Sequence, residues 1–283
     1  MSTRNHLAIA AAGLALVVAA CGDSSSTLAE PTSTTVPPTT TTAATTAPID
    51  GALTLDYTAF VAGAVQPSGI GISADGSLAA VVTDFERVVV IETATQAPVA
   101  ELAVGRGELP RQGATEGVAF LDAERLAVLY PDDRLVGIFG LDGELLDEIE
   151  VRTAGSVDGA ITVVDGELVV VVRQADSAAL HLVDPATGDA IELHVEAVDV
   201  GPFEGLSPTA DGGGVLAVTG DGTLHTIELA DGTVVPAGFV ADVGEPSGVE
   251  VFVNPDEDEV QIGITDDADE YNAEPSPLRL YLG

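Results

Sequence analysis

The 283-residue chain has 9 Lys+Arg against 46 Asp+Glu, a formal net charge of −37, which argues against nucleic acid or anionic headgroups as charge partners. All nine cations are arginine. A single cysteine excludes an intrachain disulfide and a cysteine-rich zinc or iron–sulfur site, and the absence of tryptophan excludes a WD-type repeat.

Residues 1–20 read as a short region holding Arg4 followed by an uncharged apolar run from Leu7 to Ala20, the pattern of a secretory signal. The run ends Val18-Ala19-Ala20-Cys21-Gly22 and resembles the lipobox of bacterial lipoproteins. That resemblance implies cleavage before Cys21, acylation of Cys21, and export to the outer face of the cytoplasmic membrane, with the bilayer as one partner. Two or more acyl chains suffice for stable anchoring. Residues 21–49 then form a Thr/Pro/Ser-rich tether, too polar to build a core.

From residue 50 to 283 the signal is short β-branched runs separated by Gly, Asp, Asn and Pro turns, an all-β pattern. A phrase recurs: Ser68-Gly69-Ile70, Glu116-Gly117-Val118, Asp158-Gly159-Ala160, Glu204-Gly205-Leu206 and Ser247-Gly248-Val249. Its glycines are 48, 42, 46 and 43 residues apart, the length of one four-stranded propeller blade. Each phrase opens a set of apolar runs. The first set is Ile70 to Ser73, Leu78 to Thr83, Val88 to Ile91 and Pro98 to Val104. The fifth set lacks a strand, which Leu53 to Phe60 would supply. The expectation is a β-propeller of five four-stranded blades, with the N-terminal strand closing the last.

In a propeller the first strand of each blade lines the channel, so the phrase places Ser68, Glu116, Asp158, Glu204 and Ser247 in a ring at one mouth. Three carboxylates unopposed by lysine repel one another unless protonated or bridged. Glu116, Asp158 and Glu204 are therefore candidate ligands for a hard cation, with calcium favoured. The alternative is that these residues cap strand ends while the glycines permit close packing at the axis. Loops between second and third strands add Asp84 with Arg87, Asp133 with Arg134, and Arg173, as candidate ligand-binding residues beside Ser68 and Ser247. Ion pairing between these arginines and the ring acids would lower the carboxylates' pKa without a metal. Tyr130 and Tyr271 are placed near the mouth. His181 and His225 hold equivalent third-strand positions, as repeat-derived strand residues do.

The succession Ser-Gly-Ile, Glu-Gly-Val-Ala-Phe, Glu-Gly-Leu, Ser-Gly-Val over residues 66–283 resembles the SdiA-regulated and esterase-like phytase propeller group. The resemblance implies a propeller with calcium in its channel; Glu116 and Glu204 match its acids, and Asp158 departs from them. Phytate itself fits poorly, since its phosphates call for clustered cations. No Gly-x-Ser-x-Gly elbow is present. The functional expectation is a membrane-anchored module that binds a protein or small-molecule ligand. The alternatives are a calcium-dependent hydrolase acting on an ester, lactone or phosphate, and a purely structural envelope protein.

Overall fold

The computed structural model describes residues 52–60, 67–83, 86–95, 97–105, 115–153, 155–174, 177–195, 203–209, 211–240, 246–254, 259–266 and 277–282. The signal, Cys21, the tether, Asp84 and Tyr271 lie outside them, and of Ser247 only the backbone is described.

Every regular element among the described residues is a strand. After β1 (Ala52–Phe60), the first unit is β2 (Pro67–Ile72), β3 (Leu78–Thr83), β4 (Arg87–Glu92) and β5 (Ala97–Ala103). The second is β6 (Gly117–Phe120), β7 (Arg125–Tyr130), β8 (Leu135–Gly140) and β9 (Leu145–Glu150). The third is β10 (Ser156–Val164), β11 (Glu167–Gln174), β12 (Ser177–Val183) and β13 (Ala190–Val195). Then come β14 (Phe203–Pro208), β15 (Gly214–Thr219), β16 (Thr223–Glu228) and β17 (Val234–Val240), followed by β18 (Pro246–Asn254), β19 (Glu259–Asp266) and β20 (Pro277–Leu282).

The first three units are separate four-stranded antiparallel meanders, but the remaining strands form one eight-stranded sheet in the order β14-β15-β16-β17-β1-β20-β19-β18. Four sheets therefore replace the five separate blades expected. The physical reason is a short parallel join, in which Ala52 and Leu53 at the start of β1 pair with Phe239 and Val240 at the end of β17. Beyond it β1 runs antiparallel to β20, from Thr54 opposite Leu282 to Phe60 opposite Pro277. The innermost strands close a ring, with β2 against β6, β6 against β10, β10 against β14, β14 against β18, and β18 against β2. This is a β-propeller arrangement.

Burial explains why these sequences form these strands. Leu168 to Val172 in β11 are all fully buried, because the sheet is covered on both faces and both sets of alternating side chains meet a neighbour. In β3, Ala80 and Val82 pack with Val118, Leu126 and Val128 of the next unit, while Ala79 and Val81 face the opposite way with Ile70 and Val89. Outermost strands are covered on one face only. In β5, Leu102 is buried between exposed Glu101 and Ala103, and in β13 Ile191 is exposed.

Turns are built from side chains that satisfy the hairpin backbone. Asp75 accepts hydrogen bonds from Ser73 Oγ at 2.8 Å and Ser77 N at 3.0 Å, and Ser73 Oγ accepts from Leu78 N at 2.9 Å. The unit beginning at β14 repeats the device with Thr209 and Asp211. These bonds, from Ser77 first, hold the Asp75 carboxyl down at about 2.

At the axis the phrase glycines let backbone touch backbone. A Cβ on Gly69 would collide with the carbonyl oxygen of Glu116, one on Gly117 with the carbonyl oxygen of Gly159, and one on Gly205 with the amide of Val249. Gly117→Ala is expected to cost about 1–3 kcal/mol, as overpacking in a close-packed core does. Gly76→Asn, at a turn with φ of 71° and nothing within 4 Å of an added Cβ, should change stability little. Urea unfolding of the two variants side by side measures the difference, and equal midpoints would show that the inner strands can spread.

Candidate functional site

In three of its five copies the recurring phrase is a single-residue β-bulge. In β2 the ladder passes from Pro67 opposite Thr83 to Gly69 opposite Val82, so Ser68 is the extra residue. Glu204 is skipped in the same way between Phe203 and Gly205, Ser247 between Pro246 and Gly248, and Asp158 falls within a wider irregularity between Val157 and Ile161. Glu116 directly precedes β6, its N–H donating to Leu129 O at 3.2 Å. A bulged residue is released from the ladder and its side chain is re-aimed. The inner strands accordingly begin upstream of the expected starts, because the bulge lets pairing continue past the phrase.

The ring acids differ in their surroundings. Asp158 is held by Arg173, with Nη2 to Oδ2 at 2.7 Å and Nε to Oδ1 at 3.3 Å, a two-point fork between guanidinium and carboxylate. Glu116 is half-buried, and its Oε2 lies 2.5 Å from where a Cβ on Gly159 would sit, which puts its carboxyl over the backbone next to Asp158. Burial raises its pKa, and the charges of Asp132 and Asp158 raise it further. Burial likewise raises that of Glu204, reinforced by Asp158 and Glu116 and partly offset by Arg173. Ser68 is buried, its Oγ 3.5 Å from Thr115 O. The buried Thr115 Oγ1 has no hydrogen-bond partner.

The other expected residues go elsewhere. Arg87 reaches outward to Glu101 on β5 at 2.7 Å, and Arg134, with φ of 54°, donates to Thr153 O at 3.0 Å. Asp133 is exposed, and its neighbour Asp132 is the one that acts on Glu116. Tyr130 is 1 % exposed, with its hydroxyl donating to Val104 O at 2.6 Å, so it is a core residue and not part of the mouth. His181 and His225 occupy matching registers, opposite Val170 and Ala217; burial lowers the pKa of both. His225 packs edge-on against Phe203, as core side chains do.

Among the described residues no three His, Cys, Asp or Glu side chains are grouped to hold a metal ion. Arg173 engages both oxygens of Asp158, so among the described residues the third acid of the ring is held by a guanidinium. What the ring offers is two desolvated carboxyls beside a neutralised third, able to accept a cationic donor or exchange a proton. Below the ring the channel narrows to a cavity of about 10 Å³ walled by the phrase glycines with Ile70, Val118 and Leu206, room for one water at most.

The fold and this axial mouth define a β-propeller with its candidate site on the channel. No protein-family model matches the chain, and no curated protein does. Among solved structures it is similar to Myxococcus xanthus glutaminyl cyclase, at 15 % identity and a TM-score of 0.59, over 82 % of this chain and 98 % of that one. It also matches Kuenenia stuttgartiensis hydrazine synthase at 18 % identity and a TM-score of 0.46, over 72 % of this chain and 57 % of that one. The first likeness bears on the fold alone.

The carboxyls fix a sign for pH dependence. Glu116 and Glu204 hold protons more tightly folded than unfolded, so their contribution is fully favourable below the ordinary carboxylate range and is lost as pH rises through their raised values. Glu116→Gln and Glu204→Gln should each raise the melting temperature at pH 7 and flatten its increase on acidification towards pH 5. Arg173→Gln should lower it at pH 7. Thermal unfolding across that range is the measurement, and three profiles parallel to the parent's would contradict the assignment.

Proposed function

We propose that this chain is a lipid-tethered propeller that binds a cationic group, such as the ammonium of a peptide or small molecule, in the acidic mouth. The observation that carries the reading is the pairing of two half-buried carboxyls, Glu116 and Glu204, with one guanidinium beside them among the described residues, that of Arg173, already committed to Asp158. Bringing in a positive charge relieves their mutual repulsion, and the net charge of −37 speeds its approach at low salt. The finer architecture belongs to the same reading: the eight-stranded sheet is taken as two meanders sharing one parallel join, so the recurring phrase contributes five positions to a single ring.

The test uses the full chain in detergent and a tetrapeptide, Gln-Ala-Ala-Ala-amide, with a free or an acetylated amino terminus. The free form should bind saturably, at least about tenfold more tightly than the acetylated form, as expected for a hydrogen bond to a charged group. Binding should weaken with added salt and be lost in the Glu116→Gln, Glu204→Gln double variant. Equal binding of both peptides would overturn the reading. Release of ammonia from the glutaminyl peptide would shift it to a cyclase, the activity named for the Myxococcus neighbour. Stoichiometric calcium binding to EDTA-treated protein, lost in the same double variant, would shift it to the calcium-dependent hydrolase.

Anchoring is proposed through Cys21, on the Ala19-Ala20-Cys21 phrase that ends the apolar run. Cys21→Ser is expected to move the protein from washed membranes into the soluble fraction on immunoblots. A variant that stayed with the membranes would contradict acylation at Cys21.

A further inference from the structure

The end of the channel opposite the acidic ring holds a second, separate concavity. Beyond the pinch at the phrase glycines lies a cavity of about 190 Å³, bounded by Ile72, Ala119, Phe120, Thr162, Pro208 and Glu250 among others. The pinch leaves too little room for anything larger than a water to pass between the two ends.

Glu250 stands two residues beyond the phrase glycine of β18, where the other inner strands carry Gly71, Ala119, Ile161 and Ser207. It is 7 % exposed. Its carboxyl accepts hydrogen bonds from the amide of Ile72 on β2 and the hydroxyl of Ser207 on β14, the strands flanking β18 in the ring. No arginine is among the groups acting on it. The other acid at the cavity, Asp122, is exposed and already paired with Arg125 at 2.6 Å and 2.7 Å. One buried carboxyl therefore faces an otherwise largely apolar wall with no counter-charge among the described residues.

We propose that this cavity is a binding site for a small organic ammonium with an apolar body, whose charge is met by Glu250. A buried carboxylate is stable when paired and costly when left alone, and two donors already orient it. The volume sets the size, because an apolar cavity of about 150 Å³ admits benzene, so this one takes a ring with a short arm. The surrounding side chains then cover the ring while the arm carries the charge inward.

The test is calorimetric titration of benzylamine at pH 7 into the full chain in detergent, with benzyl alcohol as the neutral isostere. In the Glu116→Gln, Glu204→Gln background, which removes ammonium binding at the acidic mouth, benzylammonium should bind at one site, and benzyl alcohol about tenfold or more weaker, as expected when a charge-assisted contact is lost. Glu250→Gln should weaken benzylammonium by a similar factor. Ala74→Phe, at an exposed turn residue that lines the cavity, should abolish binding by filling the space, and it decides the matter alone if Glu250→Gln fails to fold. Saturable binding that persists in this background separates the site from the acidic mouth, and the parent chain should show the mouth's binding in addition. Equal affinity for amine and alcohol in that background, binding there unaltered by Glu250→Gln or Ala74→Phe, or no saturable heat there would each overturn the proposal.

Discussion

Contact between the backbones of the innermost strands is the constraint on which the rest of this structure depends. Gly69, Gly117 and Gly205 sit where any side chain would strike a neighbouring carbonyl or amide, so the ring closes to a radius set by main chain alone. That closeness turns a potential pore into two blind mouths. It also places Ser68, Glu204 and Ser247 at bulges, Asp158 in a wider irregularity and Glu116 just before its strand, at the rim of one mouth. Packing at the axis and the acidic ring are thus one arrangement seen from two sides.

Electrostatics follow from the same geometry. A chain with so few cations cannot neutralise its buried acids one by one, and it divides them by environment instead. Turn carboxylates such as Asp75 and Asp211 are exposed and stabilised as anions by hydroxyls and amides. Asp158 takes a guanidinium. Glu116, Glu204 and Glu250 keep their burial and gain protons more readily. The repeats supply the first class as structural devices, and the third class is concentrated along the channel, where a ligand would complete what the sequence leaves open.

Much of the fold was legible beforehand because a doubly covered strand has to be apolar throughout and a hairpin has to carry turn residues. Runs such as Leu126 to Tyr130 and Leu168 to Val172, with a phrase recurring every 42 to 48 residues, fix the repeat, and Leu53 to Phe60 was placed correctly beside β20. The join of β1 to β17 was not legible, since it rests on a two-residue register with no side-chain signature. The site was read in part. The positions of Glu116, Asp158 and Glu204 follow from the phrase, but which arginine reaches them depends on strand direction and turn conformation. Arg173 lies on β11 opposite Ser156, close to the ring, whereas Arg87 lies opposite Ala103 on an outer strand and Arg134 leaves its turn with a left-handed backbone. Glu250 has a sequence signal of its own, a lone acid inside the apolar run Val249-Glu250-Val251.

The pairing of β1 with β20 also governs when this protein can become whole. The two strands stand at opposite ends of the described chain, so a ribosome or translocase delivering the polypeptide in order leaves β1 without its main partner until the last strand emerges. The meanders between them are local and can form as they appear. Until then β1 and β19 each present an open edge, the kind of surface on which chains associate wrongly. A polypeptide interrupted before β20 would therefore carry most of a correct structure and a sticky seam.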